Sequence, residues 1–250
     1  LRTSRWMHMI CELNTMKYTK LMLTLTLSMM ASSLVLSEET EHNDRLENLN
    51  RTAFVFNETL DNIFLKPAAK IYKAAVPDPL EKGIVNVFSN LNEITNVFND
   101  LLQGKFAQAG NDSGRFLINT TVGVGGLFDV AQRAGLDKSE GEDFGQTLGS
   151  WGVGSGPYLM LPLAGPSTLR DAPSKFFDSF ANPLGYMDHV STRNSMRGLD
   201  LLAMRADLLA LDDVISGDRY LFVRDVYLQR REYLASDGAI EDDFGDLDDY

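Results

Sequence analysis

Along residues 44–65 apolar side chains return every three or four positions, at Leu46, Leu49, Ala53, Phe56, Leu60 and Ile63, with polar residues opposite. That spacing predicts an amphipathic helix capped by Asn43 or Asp44. Lys66-Pro67 predicts a break, and Pro67 suits the first turn of a short helix running to Ala75. Val76-Pro77-Asp78-Pro79 predicts an extended corner. Residues 78–103 read as helix on Val85, Phe88, Leu91, Val97, Phe98, Leu101 and Leu102, with an interruption expected at 90–93. Residues 106–121 predict another, with Phe116, Leu117 and Ile118 set among Arg115 and Asn119, ended by Gly123-Val124-Gly125-Gly126. The clearest helical patterns are 191–216 and 218–236, separated by Gly217. In the last of these Tyr220, Val223, Val226, Tyr227, Arg230 and Leu234 form one stripe. Strand signals are scarce, and there is no internal repeat.

Residues 145–169, GQTLGSWGVGSGPYLMLPLAGPSTL, contain no charged side chain. They are apolar enough to leave water, yet glycine and proline interrupt them too often for a core helix or a membrane span. Backbone of this kind at low dielectric needs internal hydrogen-bond partners or a wet cavity to line. A protein that holds a path for a lipid has reason to build such a segment.

The longer string FGQTLGSWGVGSGPYLMLPLAGPSTLRD (144–171) resembles the signature block of the MlaA (VacJ) family of outer-membrane phospholipid-transport proteins. Further blocks agree in the same order: LNRTAFVFNETLD (49–61), LKPAAKIYKAAVPDP (65–79), VFSNLNEITNVFNDLLQGKF (87–106), GRFLINTTVGVGGLFDVA (114–131) and, more weakly, RYLFVRDVYLQRREYL (219–234). The likeness spans nearly all of the chain beyond residue 37. It implies a mainly α fold, a ring of amphipathic helices with Gly/Pro-rich breaks. Such a ring sits monotopically in the inner leaflet of the outer membrane around a polar channel.

On that resemblance the helices before Gly123 and residues 145–169 contribute the ring. Lipid-path candidates are Arg115, Asn119, Gly123, Gly125, Gly126, Gly154, Gly156 and Arg170. Residues 123–141, with Asp129, Gly135 and Gly141, correspond to a loop that gates the channel. Phe54, Phe56, Phe64 and Phe88 are membrane-facing candidates; on residue pattern alone they could equally pack into a core. Arg115, Arg133 and Arg170 could meet a headgroup phosphate bidentately, or stand in structural ion pairs with Asp112, Asp129 or Asp171. The implied function is passive removal of mislocalised phospholipid from the outer leaflet, handed to a soluble periplasmic carrier, with trimeric porins as neighbours. The alternative is a porin-associated envelope scaffold that moves no lipid.

Composition narrows the remainder. The formal charge of −12 repels nucleic acid and anionic lipid surfaces, so membrane contact must be apolar and nucleic acid is excluded as a partner. Met16-Lys17-Tyr18-Thr19-Lys20 followed by 16 uncharged residues (21–36) reads as an export signal, cleaved after Ser33 or Ser37, or else as a retained anchor helix. Domain boundaries follow as 1–37, 38–236 and an acidic tail, 237–250, that either solubilises the chain or docks a basic partner. The single cysteine, Cys11, precedes the signal segment, so no lipobox is expected at 32–37 and no disulfide beyond it. Of three histidines, His8, His42 and His189, the last is the one available as a base. No G-x-S-x-G elbow accompanies it, and the glycine clusters lack G-x-G-x-x-G or G-K-[ST] spacing. Neither enzyme chemistry, nor a metal, nor a cofactor is expected.

Overall fold

The computed structural model describes residues 46–212, 215 and 217–238. The readings of residues 1–37, of the caps Asn43 and Asp44, and of the tail beyond Gly238 lie outside the described residues. The fold is mainly α: α1 (Glu47–Leu60), α2 (Lys66–Ala75), α3 (Asp78–Gln103), α4 (Phe106–Thr121), α5 (Val130–Arg133), α6 (Phe144–Ser150), α7 (Asp171–Ala181), α8 (Val190–Asp207) and α9 (Arg219–Ala235). One antiparallel hairpin, β1 (Tyr158–Leu161) and β2 (Gly165–Thr168), interrupts them. No helix among the described residues is long and apolar enough to cross a membrane.

Lys66-Pro67 does not break the chain. A π-helical turn, Asp61–Leu65, joins α1 to α2, and Leu65 and Lys66 keep right-handed helical angles. Widening the helix by one residue accommodates a proline that has no N–H to donate. Asp61, which opens that turn, is clamped by Arg205 of α8 through Nε at 2.7 Å and Nη2 at 2.9 Å.

The interruption expected at residues 90–93 is also absent, for α3 runs unbroken through 26 residues. Asn90 and Glu93 spoil an apolar pattern because they turn inward to partners on α4, not because the backbone bends there. Gly104, left-handed at φ 78°, ends the helix, and the Lys105 amide donates back to the Asp100 carbonyl at 2.8 Å. This tight turn folds α4 back along α3. The helix read as 191–216 stops at Asp207 and passes into a short 3-10 turn, Leu208–Leu211.

Sequence reasoning missed the hairpin within residues 145–169. Asn50 Nδ2 donates to the Tyr158 carbonyl at 2.9 Å, and the Met160 amide donates to Asn50 Oδ1 at 2.9 Å. Two turns further along α1, Asn57 repeats the pair with the Leu161 carbonyl and the Leu163 amide, at 2.9 and 2.8 Å. Two side-chain amides thus stand in for a neighbouring strand along the free edge of β1.

Two small clusters of buried apolar residues form among the described residues. Ala69 and Tyr72 of α2 meet Ala203 and Ala206 of α8. Tyr158 and Met160 of β1 meet Tyr220 of α9, where Phe54 adds an edge-on ring contact at 5.7 Å.

Candidate functional site

Burial in this chain is inverted relative to a water-soluble domain. Among the described residues, 20 polar or charged side chains are buried against 11 hydrophobic ones, while 29 large hydrophobics are exposed. Large charged side chains are almost never buried unless paired, so each requires a partner. The interior of the molecule is therefore a polar network, and α3 is its spine.

On α3 the inward stripe is Asn86, Asn90, Glu93, Asn96, Asn99 and Asp100, at helical spacing. Asn86 reaches the Leu127 carbonyl and Asn90 the Thr120 hydroxyl. Glu93 accepts from Arg115 Nε at 2.9 Å and from Asn96 at 3.0 Å. Burial pushes the Glu93 carboxyl up, against the opposing pull of Arg115. Asn99 lies between Thr147 of α6 and Asp178 of α7, accepting from the first and donating to the second. Asp100 is fully buried, and neither of its carboxylate oxygens has a hydrogen-bond partner. Burial, with Asp112 and Glu142 nearby, raises it to about 7.

The segment 122–141 is stitched onto this spine. Arg115, 2% exposed, spends its guanidinium on Glu93, on Asp129 at 2.9 Å and on the Leu136 carbonyl at 2.7 Å. Asn119 donates to Asp129 and accepts from the amides of Val130 and Ala131. Asp129 in turn caps α5 through the Gln132 amide. Burial pushes the Asp129 carboxyl up, but the bonds from Arg115 and Asn119 outweigh it and hold it below the usual range. Gly126, at φ 89°, lies so close to α3 that a Cβ would come within 2.7 Å of Asn90.

A second hub closes the other side. Arg231 of α9 donates Nε to Asp171 at 2.9 Å and Nη2 to Asp143 at 3.0 Å. Asp171 also receives Arg170 Nε at 2.8 Å and the Tyr227 hydroxyl at 3.0 Å. Burial would raise Asp171, yet its two arginines bring it below the normal carboxylate value. The buried seam of α9 is accordingly Tyr220, Arg224 and Arg231; Val226 and Arg230, which belonged to the expected stripe, are exposed.

The expected site residues divide. Arg115 and Arg170 are both buried and committed to acids, so neither guanidinium is open to a phosphate. Arg133 is exposed, with no acid partner among the described residues. Gly123 is buried against Asn119 and Phe128 and Gly126 against Asn90 of the spine, whereas Gly125, Gly135, Gly154 and Gly156 are exposed and Gly141 is half-buried. Of the membrane-facing candidates, Phe56 and Phe64 are 48% and 67% exposed. Phe88 is 5% exposed, and Phe54 is half-buried against Tyr220; both are corrections, because each lies on the inward side of its helix. His189 is exposed ahead of α8, and no three-residue metal-ligating group exists among the described residues. Glu93, Arg231, Asn50 and Asn57 were missed as organising residues, whereas Asp171 had been named as an ion-pair partner. The spacing of polar residues along α3 and of the two asparagines on α1 was the available signal.

Comparison with known proteins agrees with this architecture. The family model for MlaA lipoprotein matches residues 42–234. The intermembrane phospholipid transport system lipoprotein MlaA of Escherichia coli is 36% identical over 228 residues, 85% of this chain and 90% of that one. Its namesake from Haemophilus influenzae is 31% identical, covering 89% and 91%. A solved structure, described under the structural basis for maintenance of bacterial outer membrane lipid asymmetry, superposes with a TM-score of 0.70 at 39% identity. It covers 78% of this chain and all of that one. These relatives are named lipoproteins, so the expectation of a chain without a lipobox is not carried forward. With a polar interior, an apolar exterior and matched sequence from residue 42 to 234, this chain belongs to the MlaA lipoprotein family.

Proposed function

We propose that this protein is the outer-membrane component of an intermembrane phospholipid transport system, and that it passively withdraws mislocalised phospholipid from the outer leaflet. The observation that carries the reading is the inverted burial. An exterior bearing Phe56, Phe64, Ile71, Phe98, Leu117 and Phe176 needs an apolar medium, and an interior of ion pairs and amides offers a polar one. A headgroup following polar groups while its tails stay in apolar surroundings avoids the costly transfer of charge into hydrocarbon. The helices would form a ring lying in the inner leaflet, with the segment 123–141 as its gate, trimeric porins beside it and a soluble periplasmic carrier receiving the lipid. The family's relatives are named for transport, not catalysis, and no side chain here is given a catalytic role.

The test is to express the full chain in a Gram-negative host lacking its own homologue. Outer membranes are washed with alkaline carbonate, then extracted in mild detergent for mass spectrometry of bound lipid and protein. Retention with phospholipid and porin, and restored outer-leaflet asymmetry, are expected. A protein that retains porin but carries no lipid and restores nothing is instead a scaffold.

A further inference from the structure

Most arginines of this molecule are already spoken for by acids: Arg51, Arg115, Arg170, Arg205, Arg219, Arg224, Arg230 and Arg231 each have one within 4 Å. On α8 the pattern changes. Among the described residues Arg193 and Arg197 have no acid partner, and Arg193 Nε is buried without an acceptor, while its Nη1 makes a long bond of 3.4 Å to the Met187 carbonyl. Asp200, half-buried and one turn beyond Arg197, has neither cation nor hydrogen-bond donor among the described residues. Burial alone pushes its carboxyl up.

Helical geometry groups these three. At about 100° per residue, Arg193, Arg197 and Asp200 fall within about 60° of one another on the cylinder. The seam formed by Leu199, Leu202, Ala203 and Ala206, which packs on α2, lies on a different side. Adjoining the charged stripe, on the edge away from that seam, run Val190, Leu201, Met204 and Leu208, all exposed. The helix and the turn after it therefore carry a packing seam, a charged stripe of two guanidiniums and a carboxylate not paired with one another, and an apolar stripe beside it.

We infer that α8 holds a single zwitterionic phospholipid, with Arg193 and Arg197 on its phosphate, Asp200 on its headgroup amine and the apolar stripe along its tails. The argument is charge complementarity. Two guanidiniums without acid partners take an anionic oxygen pair bidentately. A carboxylate one turn away would repel a purely anionic headgroup, but it accepts from an ammonium two carbons removed from the phosphate. Ethanolamine phospholipid satisfies all three side chains, whereas a glycerol headgroup offers Asp200 only neutral hydroxyls and no positive charge. This inference rests on the transport reading above and specifies its substrate class.

The experiment uses the full-length protein extracted from outer membranes and exchanged into detergent with equal ethanolamine and glycerol phospholipid, bound lipid being counted by native mass spectrometry. The parent chain is expected to be enriched in ethanolamine lipid by about threefold or more. Asp200→Asn should bring that ratio close to one while leaving total occupancy unchanged. Arg197→Ala should lower occupancy by both lipids, by about tenfold if a charge-assisted contact is lost. Arg193→Ala is the second variant, and thermal melting of each variant against the parent separates lost binding from lost fold. Arg197 is exposed and Asp200→Asn nearly isosteric, so at least these two report on binding. Equal uptake of both lipids by the parent, or an unchanged ratio in Asp200→Asn, overturns the zwitterion site and leaves transport standing. A parent chain that binds no phospholipid at all overturns both.

Discussion

Arg231 donates its Nε to Asp171 at 2.9 Å, joining side chains 60 positions apart and both almost wholly buried. The same guanidinium reaches Asp143, so three helices meet on one cation. Breaking a buried ion pair from one side leaves the other charge without compensation. Asp171→Ala is therefore expected to destabilise the fold by about 3–5 kcal/mol. Arg231→Lys, which keeps charge but loses the fork, should fall between the parent and that variant. Gly145→Ala should resemble Asp171→Ala, since a Cβ there would lie 2.5 Å from Asp171 and 2.6 Å from Arg231. Chemical denaturation in detergent ranks all three; equal stability of Asp171→Ala and the parent would contradict the hub.

Asn50 makes a narrower prediction. Asn50→Leu removes the side-chain bonds that Asn50 makes to the Tyr158 carbonyl and from the Met160 amide along β1. Each lost partner costs about 1–3 kcal/mol. Hydrogen exchange at the Met160 amide should accelerate well before that of α3, and a uniform change across the chain would argue against a local anchor.

Stability should depend on pH through two carboxyls. Burial raises Asp178 to about 6 and Asp100 to about 7. Between the ordinary carboxylate range and those values the folded state binds more protons than the unfolded one. Their contribution to stability is thus present at acid pH and lost as pH rises through about 6–7. Asp100→Asn should remove the larger part of that slope and stabilise the protein at pH 8 by an amount on the order of 2–4 kcal/mol. Asp171, lowered by its arginines, and Asp212, lowered to about 2 by Arg205 and Lys66 against the effect of burial, act in the opposite sense. Their contribution is present above the ordinary range and lost as pH falls through their folded values. Melting curves from pH 3 to 8 on both proteins decide it.

Phe64 and Phe88 separate membrane contact from folding. Phe88→Ala removes a buried ring and should cost about 3–5 kcal/mol. Phe64→Ser should change the folding free energy by less than about 1 kcal/mol. It should still weaken partition into vesicles by roughly tenfold or more, the effect of one exposed ring leaving hydrocarbon. Denaturation and vesicle flotation on the same two variants provide the comparison; a reversed order would invert the assignment of faces.

The helices were legible because their periods were long and regular, and α4 and α9 fall within a residue or so of the pattern. Which face turned inward was not legible. Val97, Phe98 and Leu101 mark an apolar side of α3 as plainly as Asn90, Glu93 and Asn96 mark a polar one, and periodicity assigns neither to the interior. The family resemblance supplied that orientation for Phe56 and Phe64, yet it also placed Phe88 outward, one side too far. Tyr158 to Thr168 failed as a strand pair for another reason: its edge is satisfied by Asn50 and Asn57, more than a hundred residues away, and nothing local announces them. For Arg115 and Arg170 the sequence offered either a lipid phosphate or an ion pair with Asp129 or Asp171, and the partner distances select the ion pairs. Arg193, Arg197 and Asp200 lay in plain view but carried no signal until the pairing of the other arginines was known.

The inverted burial also bears on how such a molecule reaches its destination. For most proteins folding hides the adhesive surface, and the unfolded chain is the hazard. Here the finished form still displays Phe56, Phe64, Phe106, Phe176 and Phe180 to whatever surrounds it. In water those surfaces would join copy to copy. Completion of the fold therefore leaves the adhesive face uncovered, and the finished molecule needs an apolar surrounding as much as the unfolded chain does.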